Sequence, residues 1–195
     1  MMIKEIKEYA EKNNVPIMQE EGIDFLTTFI IKHQINSVLE IGTAIGYSAI
    51  MMALCNPKLK VVTIERDEER YLEALKNVKK FGLEDTITLL FNDALEVNIK
   101  EKFDLIFLDG AKGQNVNFFN HFIKNLNGDG FVVTDNINFH GYVSRDESEI
   151  KSRNLRGLVR KIKEYINFLE TNLEYTTEFY EKGDGIAVTH KKENG

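Results

Sequence analysis

A chain of 195 residues, 43% hydrophobic and 29% charged, has the length of one domain and the composition of an ordinary folded protein. One cysteine, Cys55 at the end of an apolar run, excludes a disulfide framework and a cysteine-built zinc site, and reads as a buried structural thiol. A formal charge of −6 argues against coating nucleic acid with the whole surface, though it leaves room for a local basic patch.

In chain order, Ile3, Ile6 and Ala10, then Ile23, Leu26 and Ile30, recur at helical spacing, which predicts two N-terminal helices split near Pro16. Short apolar runs then predict strands at Ser37 to Ile41, Lys60 to Glu65, Thr86 to Phe91, Phe103 to Asp109 and Gly130 to Asp135. Helical patterns lie between them at 47–55, 67–81 and 115–126, so the chain reads as βαβ units around a parallel sheet covered on both faces. A long helix over 153–171 precedes Tyr175 to Tyr180 and Ile186 to His190, two runs flanking the hairpin signal Gly183-Asp184-Gly185. The expected fold is α/β, a mostly parallel open sheet closed by an antiparallel hairpin. One continuous domain spans 1–195, with N-terminal helices in 1–34 and the core in 35–195. No apolar stretch is long enough to cross a bilayer, and the N-terminus lacks the pattern of a signal peptide. A cytoplasmic protein without a membrane partner is therefore expected.

Ligands of open α/β sheets sit at the carboxyl ends of the strands. Here those ends carry Glu40 to Gly46, Glu65, Asp93, Asp109 and Asp135-Asn136. Gly42 and Gly46 allow a tight turn and close backbone approach just before a helix N-terminus. The spacing is Gly-x-x-x-Gly, without the Gly-x-Gly-x-x-Gly of dinucleotide-binding enzymes, which makes a nicotinamide dehydrogenase the weakest reading. Glu40 would repel a pyrophosphate and welcome an ammonium group, Glu65 could accept two ribose hydroxyls, and Asp93 could face an adenine amino group. An amino acid joined to an adenosine fits all three. Each acid taken singly could instead cap a turn or helix.

Leu39 to Ser48 resembles motif I of the class I methyltransferases. The resemblance covers nearly the whole chain and implies a Rossmann-like fold and S-adenosylmethionine as cofactor. It also implies cofactor contacts at Met18, in Val15-Pro16-Ile17-Met18, at Ser48 and at Ala94 beside Asp93.

Asp109, Asp135 and Asn136 form a second constellation at neighbouring strand ends, three hard oxygen donors suited to Mg²⁺, with Mn²⁺ or Ca²⁺ as alternatives. Asp109 as a helix cap and Asp135-Asn136 as an Asx turn is the structural alternative. His33, His121, His140 and His190 show no ligand spacing. The arrangement resembles the cation-dependent O-methyltransferases that include the catechol and caffeoyl-coenzyme A enzymes. That likeness implies Asp109, Asp135 and Asn136 as metal ligands, with Asp109 also at the reaction centre, and Lys112 as the residue acting on the substrate hydroxyl. Relatives of this kind are commonly homodimers.

Asp109 to Gln114, together with Gly42 to Ser48, looks most like the bacterial tRNA 5-hydroxyuridine methyltransferases, which make 5-methoxyuridine at the wobble position. This chain departs from them at Gly110, where they place alanine, and at Asn115, where they place an aromatic residue. Independently, residues 151–163 carry six basic side chains and no acidic one. On a helix, Arg153, Arg156, Arg160 and Lys163 form one outward stripe that could track tRNA phosphates, or could simply be a solvated face. Phe139-His140-Gly141-Tyr142 could stack on an extruded base or pack against a lid. A small-molecule catechol O-methyltransferase, and a non-catalytic tRNA-binding module with a relic cofactor fold, are the alternatives; the intact Asp109, Lys112, Asp135 and Asn136 speak against the second.

Overall fold

A computed structural model describes residues 2–192; Met1 and residues 193–195, which the single-domain reading of 1–195 also takes in, lie outside the described residues. The chain runs α1 (Met2–Lys12), α2 (Glu20–Lys32), β1 (Ser37–Ile41), α3 (Tyr47–Cys55), β2 (Lys60–Glu65), α4 (Glu68–Lys80) and β3 (Ile87–Phe91). It continues with β4 (Phe103–Leu108), α5 (Asn115–Phe122), β5 (Leu126–Asp135), α6 (Arg153–Glu170), β6 (Tyr175–Tyr180) and β7 (Ile186–Lys191). Among the described residues, no helix is long and apolar enough to cross a membrane.

All seven strands join one sheet in the order β3-β2-β1-β4-β5-β7-β6. Strands β1 to β5 are parallel, and β7 enters antiparallel between β5 and β6. This is the expected Rossmann-like α/β sheet. Chain order runs outward from β1 on one side and from β4 on the other. The crevice between their carboxyl ends is thus the switch point at which such sheets bind ligands.

The pleat divides the core in two. On β1 and β4, Val38, Leu105 and Phe107 join the cluster under α1, α2 and α3, whereas Leu39, Ile41, Ile106 and Leu108 join the cluster under α5 and α6. Glu40, two residues after Val38, must therefore face the α3 side.

The sequence reading misses one junction. It runs the fifth helix to residue 126 and opens the next strand at Gly130, whereas α5 ends at Phe122, tightens into a 3₁₀ turn over Ile123–Asn125, and β5 opens at Leu126. Asn127-Gly128-Asp129-Gly130 reads as a turn because of its residue types, yet a bulge absorbs it. The β4–β5 register shifts between Phe103 and Leu105, and Asn127 Nδ2 donates to Asp104 Oδ1 at 2.7 Å. At Gly130 an added Cβ would lie 2.8 Å from the Asp104 carbonyl oxygen, so only glycine fits.

Helix α6 is tied to the sheet by more than apolar contact. Tyr165 is fully buried, and its hydroxyl lies 2.8 Å from the hydroxyl of Thr134 on β5, itself fully buried. Burial pushes the phenol pKa well above its usual value. Tyr165→Phe leaves the Thr134 hydroxyl without this partner and is expected to lower stability by about 1–2 kcal/mol. Urea denaturation should show a lower midpoint with an unchanged m-value.

Candidate active site

At the carboxyl edge of β1, β2, β4 and β5 lies a cavity of about 410 Å³. The cofactor loop forms its floor. Gly42 (φ +99°), Ala44 (φ +47°) and Gly46 (φ +83°) take left-handed conformations, and Gly46 is the N-cap of α3. A Cβ on Gly42 would stand 2.7 Å from the Asp109 carbonyl oxygen and 2.8 Å from Gly110 Cα, so this loop and the end of β4 can approach only through a glycine.

Of the expected cofactor residues, Met18, Gly42, Ser48, Glu65, Asp93, Ala94 and Asp109 line the cavity. Glu65 is fixed from three sides. Its Oε2 accepts the Ala44 N–H at 2.8 Å, and its Oε1 accepts the Arg66 and Asp67 N–H groups at 2.9 Å each. Asp93 Oδ1 caps a turn by accepting the Leu95 N–H, the alternative role for a single acid, while Oδ2 meets the Arg66 guanidinium at 3.3 Å.

Glu40 and Gly46 do not line the cavity. The sequence reading sets Glu40 against a ligand ammonium, but the pleat turns its carboxylate beneath the loop. There it accepts the hydroxyls of Ser48 and Thr63, with Thr43 Oγ1 2.6 Å from Thr63 Oγ1. Ser48 does reach the cavity, so Glu40 supports the ligand surface from below. Complete burial pushes the Glu40 carboxyl up to about 8, opposed by the two hydroxyls and reinforced by Asp109 and Glu65.

The second constellation comes together because of sheet register. Leu108 pairs with Thr134, so Asp109 and Asp135 are carried to adjacent positions at the ends of β4 and β5. Asp135 is 2% exposed, Asn136 follows it in a left-handed conformation (φ +59°), and Lys112 Nζ donates to Asp109 Oδ1 at 2.6 Å. Burial and the neighbouring Asp109 push Asp135 up to about 7, against a lowering by Lys112. Asp109, Lys112 and Asn136 line the cavity, while Asp135 lies behind them. Among the described residues, no three His, Cys, Asp or Glu side chains gather in a metal-holding group; the expected donors are two carboxylates and one amide.

Several cavity residues escaped the sequence reading. Arg66, Arg70 and Asn92 are ordinary polar residues in sequence, and Asp184 reads there only as part of a hairpin turn. His140, given no ligand role, and Phe139 do line the cavity. In the basic stripe on α6, Arg160 pairs with Glu147 at 3.1 Å and Lys163 donates to the Arg145 carbonyl at 3.2 Å. Arg153 and Arg156 make no ion pair among the described residues. Elsewhere on α6, Lys161 packs beside the residue after Lys112: a Cβ on Gly113 would meet Lys161 Cδ at 3.1 Å.

Comparison with known proteins agrees with this geometry. The sequence model of the O-methyltransferase family matches residues 1–192. A solved Staphylococcus aureus protein, provisionally named a caffeoyl-CoA O-methyltransferase, is 36% identical with a TM-score of 0.92, over 97% of this chain and 92% of that one. The caffeoyl-CoA O-methyltransferase of Populus kitakamiensis is 25% identical over 193 residues, 95% of this chain and 82% of the relative. The catechol O-methyltransferase of Niastella koreensis is 30% identical over 122 residues, 59% of this chain and 55% of the relative. The chain belongs to the O-methyltransferase family and is an S-adenosylmethionine-dependent enzyme.

Glu40 sets a pH dependence whose sign follows from its raised pKa. An unfolded glutamate titrates near 4.5 and this one near 8, so between those values the folded state holds the extra proton. The stabilisation is complete below 4.5 and is lost as pH rises through 8. Glu40→Gln cannot ionise, while Ser48 and Thr63 can rotate to suit an amide. The variant's stability should therefore fall less between pH 5 and pH 9, and at pH 9 it should exceed the parent by on the order of 1 kcal/mol or more, measured by urea denaturation of ligand-free protein.

Proposed function

We propose that this enzyme methylates a hydroxyl group with the help of a divalent cation, and that its substrate is the wobble 5-hydroxyuridine of tRNA, which it converts to 5-methoxyuridine. The observation that carries the cation part is the register-driven pairing of Asp109 with Asp135. Two carboxylates side by side, one of them buried and held partly protonated by its surroundings, are a repulsive arrangement that a cation would relieve. Carboxylate and amide oxygens are also the donors that Mg²⁺ and Mn²⁺ favour. When bound, the cation supplies positive charge that eases proton loss from the substrate hydroxyl, and S-adenosylmethionine supplies the methyl group.

The chain's own residues then have defined tasks. Asp109, Asp135 and Asn136 would hold the cation. Glu65 and Ser48 would fix the cofactor at its ribose and amino-acid ends, and Met18 would pack over it. Lys112, on the turn immediately after Asp109, would take up the hydroxyl proton at Nζ as a neutral amine, the form that a divalent cation beside Asp109 would favour by repelling the ammonium. The substrate oxygen forms the new bond to the methyl carbon while the bond from that carbon to sulfur breaks, leaving a thioether. Positioning of the two reactants and local positive charge would supply most of the rate.

The tRNA part rests on the Asp109 to Gln114 resemblance and on the placement of α6. One flank of this helix borders Gly113 beside Lys112, and its basic stripe borders the segment that follows Phe139 and His140. A second reading, a small phenol as substrate, is favoured by the names of the poplar and Niastella relatives.

Labelled S-adenosylmethionine offered with Mg²⁺ to tRNA from cells lacking the protein, beside a panel of catechols, separates the two. Label is expected in tRNA as 5-methoxyuridine, and to vanish with EDTA or in Asp135→Ala. Label confined to catechols would select the second reading, and activity surviving EDTA would remove the cation.

The stripe is tested by reversing its two unpaired charges. Arg153→Glu with Arg156→Glu should raise the KM for tRNA roughly 10-fold and flatten the salt dependence of binding by about one to two units of slope. A catechol substrate should notice neither change.

A further inference from the structure

We infer that Asp184, on the turn between β6 and β7, is a positioning residue of the active site that holds the loop Asn136–His140 in its working shape. Asp184 is 6% exposed yet reaches the cavity wall. Its Oδ1 accepts the His140 backbone N–H at 2.6 Å, and its Oδ2 lies 3.5 Å from Asn136 Nδ2 and 3.6 Å from His140 Nδ1. The backbone completes the clamp: Asn138 N–H donates to the Asp184 carbonyl at 2.9 Å, and Ile137 N–H to the Gly185 carbonyl at 3.1 Å.

The loop needs such a clamp. Asn136 (φ +59°), Phe139 (φ +45°) and His140 (φ +54°) all take the left-handed conformation, which Asn and His adopt more readily than other residues with side chains but which is unfavourable for Phe139. Strained backbone of this kind persists only where its surroundings over-determine it. Here the hairpin turn provides them, and it approaches so closely that a Cβ on Gly185 would stand 2.9 Å from Ile137 Cγ1. The turn is anchored in the other direction by α2, where Glu21 pairs with Lys182 at 3.0 Å and accepts the Gly183 N–H at 3.1 Å.

A neutral acceptor would satisfy the His140 N–H equally well. The carboxylate instead adds a negative charge that acts on Asp135 and lies beside Asn136, a placement that repels in the bare protein and strengthens the pull on a cation. Asp184 thus fixes the direction of Asn136 and deepens the negative potential around it. The effect on cation affinity rests on the cation-assisted reading above; the effect on the loop does not.

Full-length Asp184→Ala and Asp184→Asn proteins test both effects through amide hydrogen exchange over residues 136–143, Mn²⁺ affinity by electron paramagnetic resonance, and steady-state methyl transfer. Asp184→Ala should exchange at least about 10-fold faster across the loop and bind Mn²⁺ about 10–100-fold more weakly, with kcat falling more than the KM for S-adenosylmethionine rises. Asp184→Asn keeps the acceptor and loses the charge, so slow exchange should return while Mn²⁺ affinity stays at least about 3-fold below the parent. Parent-like exchange in Asp184→Ala overturns the positioning role. Should Asp184→Ala not fold, Asp184→Ser takes its place in the exchange experiment with the same two outcomes, and unchanged Mn²⁺ affinity in Asp184→Asn overturns the charge effect. A parent protein that binds no Mn²⁺ removes the cation reading, and the exchange experiment on Asp184→Ala still decides the role of Asp184.

Discussion

The site depends on one close approach. Gly42 lies where β1 ends, Asp109 where β4 ends, and the missing Cβ of Gly42 leaves the only space through which the two ends can touch. Ladder bonds fix the contact in register: Asp109 N–H donates to the Ile41 carbonyl, and Gly42 N–H donates across the other side to the Ile64 carbonyl. The cofactor loop is thereby welded to the acidic cluster at the switch point of the sheet. A larger residue at position 42 would need both φ +99° and a backbone displacement, so the two halves of the site would move apart together.

From that contact follows an electrostatic problem, which the protein handles differently beneath the loop and at the cavity. Beneath the loop, Glu40 is sealed from water and held by hydroxyls alone, conditions that favour its protonated form. Above it, Asp109 stands at the cavity with the buried Asp135 on the adjacent strand end, and one cation, Lys112, lies against Asp109. The first arrangement is self-contained and serves to hold Ser48. The second leaves two neighbouring carboxylates with a single cationic partner, so the two sets of acids differ in how far the protein itself compensates them.

Much of this was legible in the sequence, and what was not has definable causes. Parallel strands buried on both faces appear as short apolar runs, so β1 to β4 could be bounded almost to the residue. The acids at their ends were visible because strand ends and ligand sites coincide in this architecture. Glu40 lies inside β1 and not past its end, and the hydroxyls of Ser48 and Thr63 close over its carboxylate; those partners, 8 and 23 residues away, leave no local pattern in the sequence. The opening of β5 was missed because Asn127 to Gly130 carry turn chemistry, and only the partner strand, through Asp104, makes them a bulge. Arg66 and Asp184 meet the site through contacts whose partners lie 27 and 44 residues away in sequence, and no local pattern records such distances.

The hairpin shows how topology gives a late, unremarked segment a role at the site. Antiparallel entry of β7 beside β5 pairs Asp135 with Ile186. The turn before β7 must then arrive alongside the residues after β5, because the two strands run in opposite directions. A parallel strand at that position would have delivered its amino end to the far edge of the sheet, away from every catalytic group. Reversal of this one strand brings Gly183-Asp184-Gly185 against Asn136 to His140, and so gives the cavity a wall that the five parallel strands cannot build themselves. Helix α6 is joined to β5 through Tyr165 and Thr134, and its Lys161 reaches Gly113, the residue after Lys112. Floor and wall are therefore set by different parts of the fold: the parallel strands carry the loop and the acids at their carboxyl ends, and the antiparallel addition closes one side of the cavity.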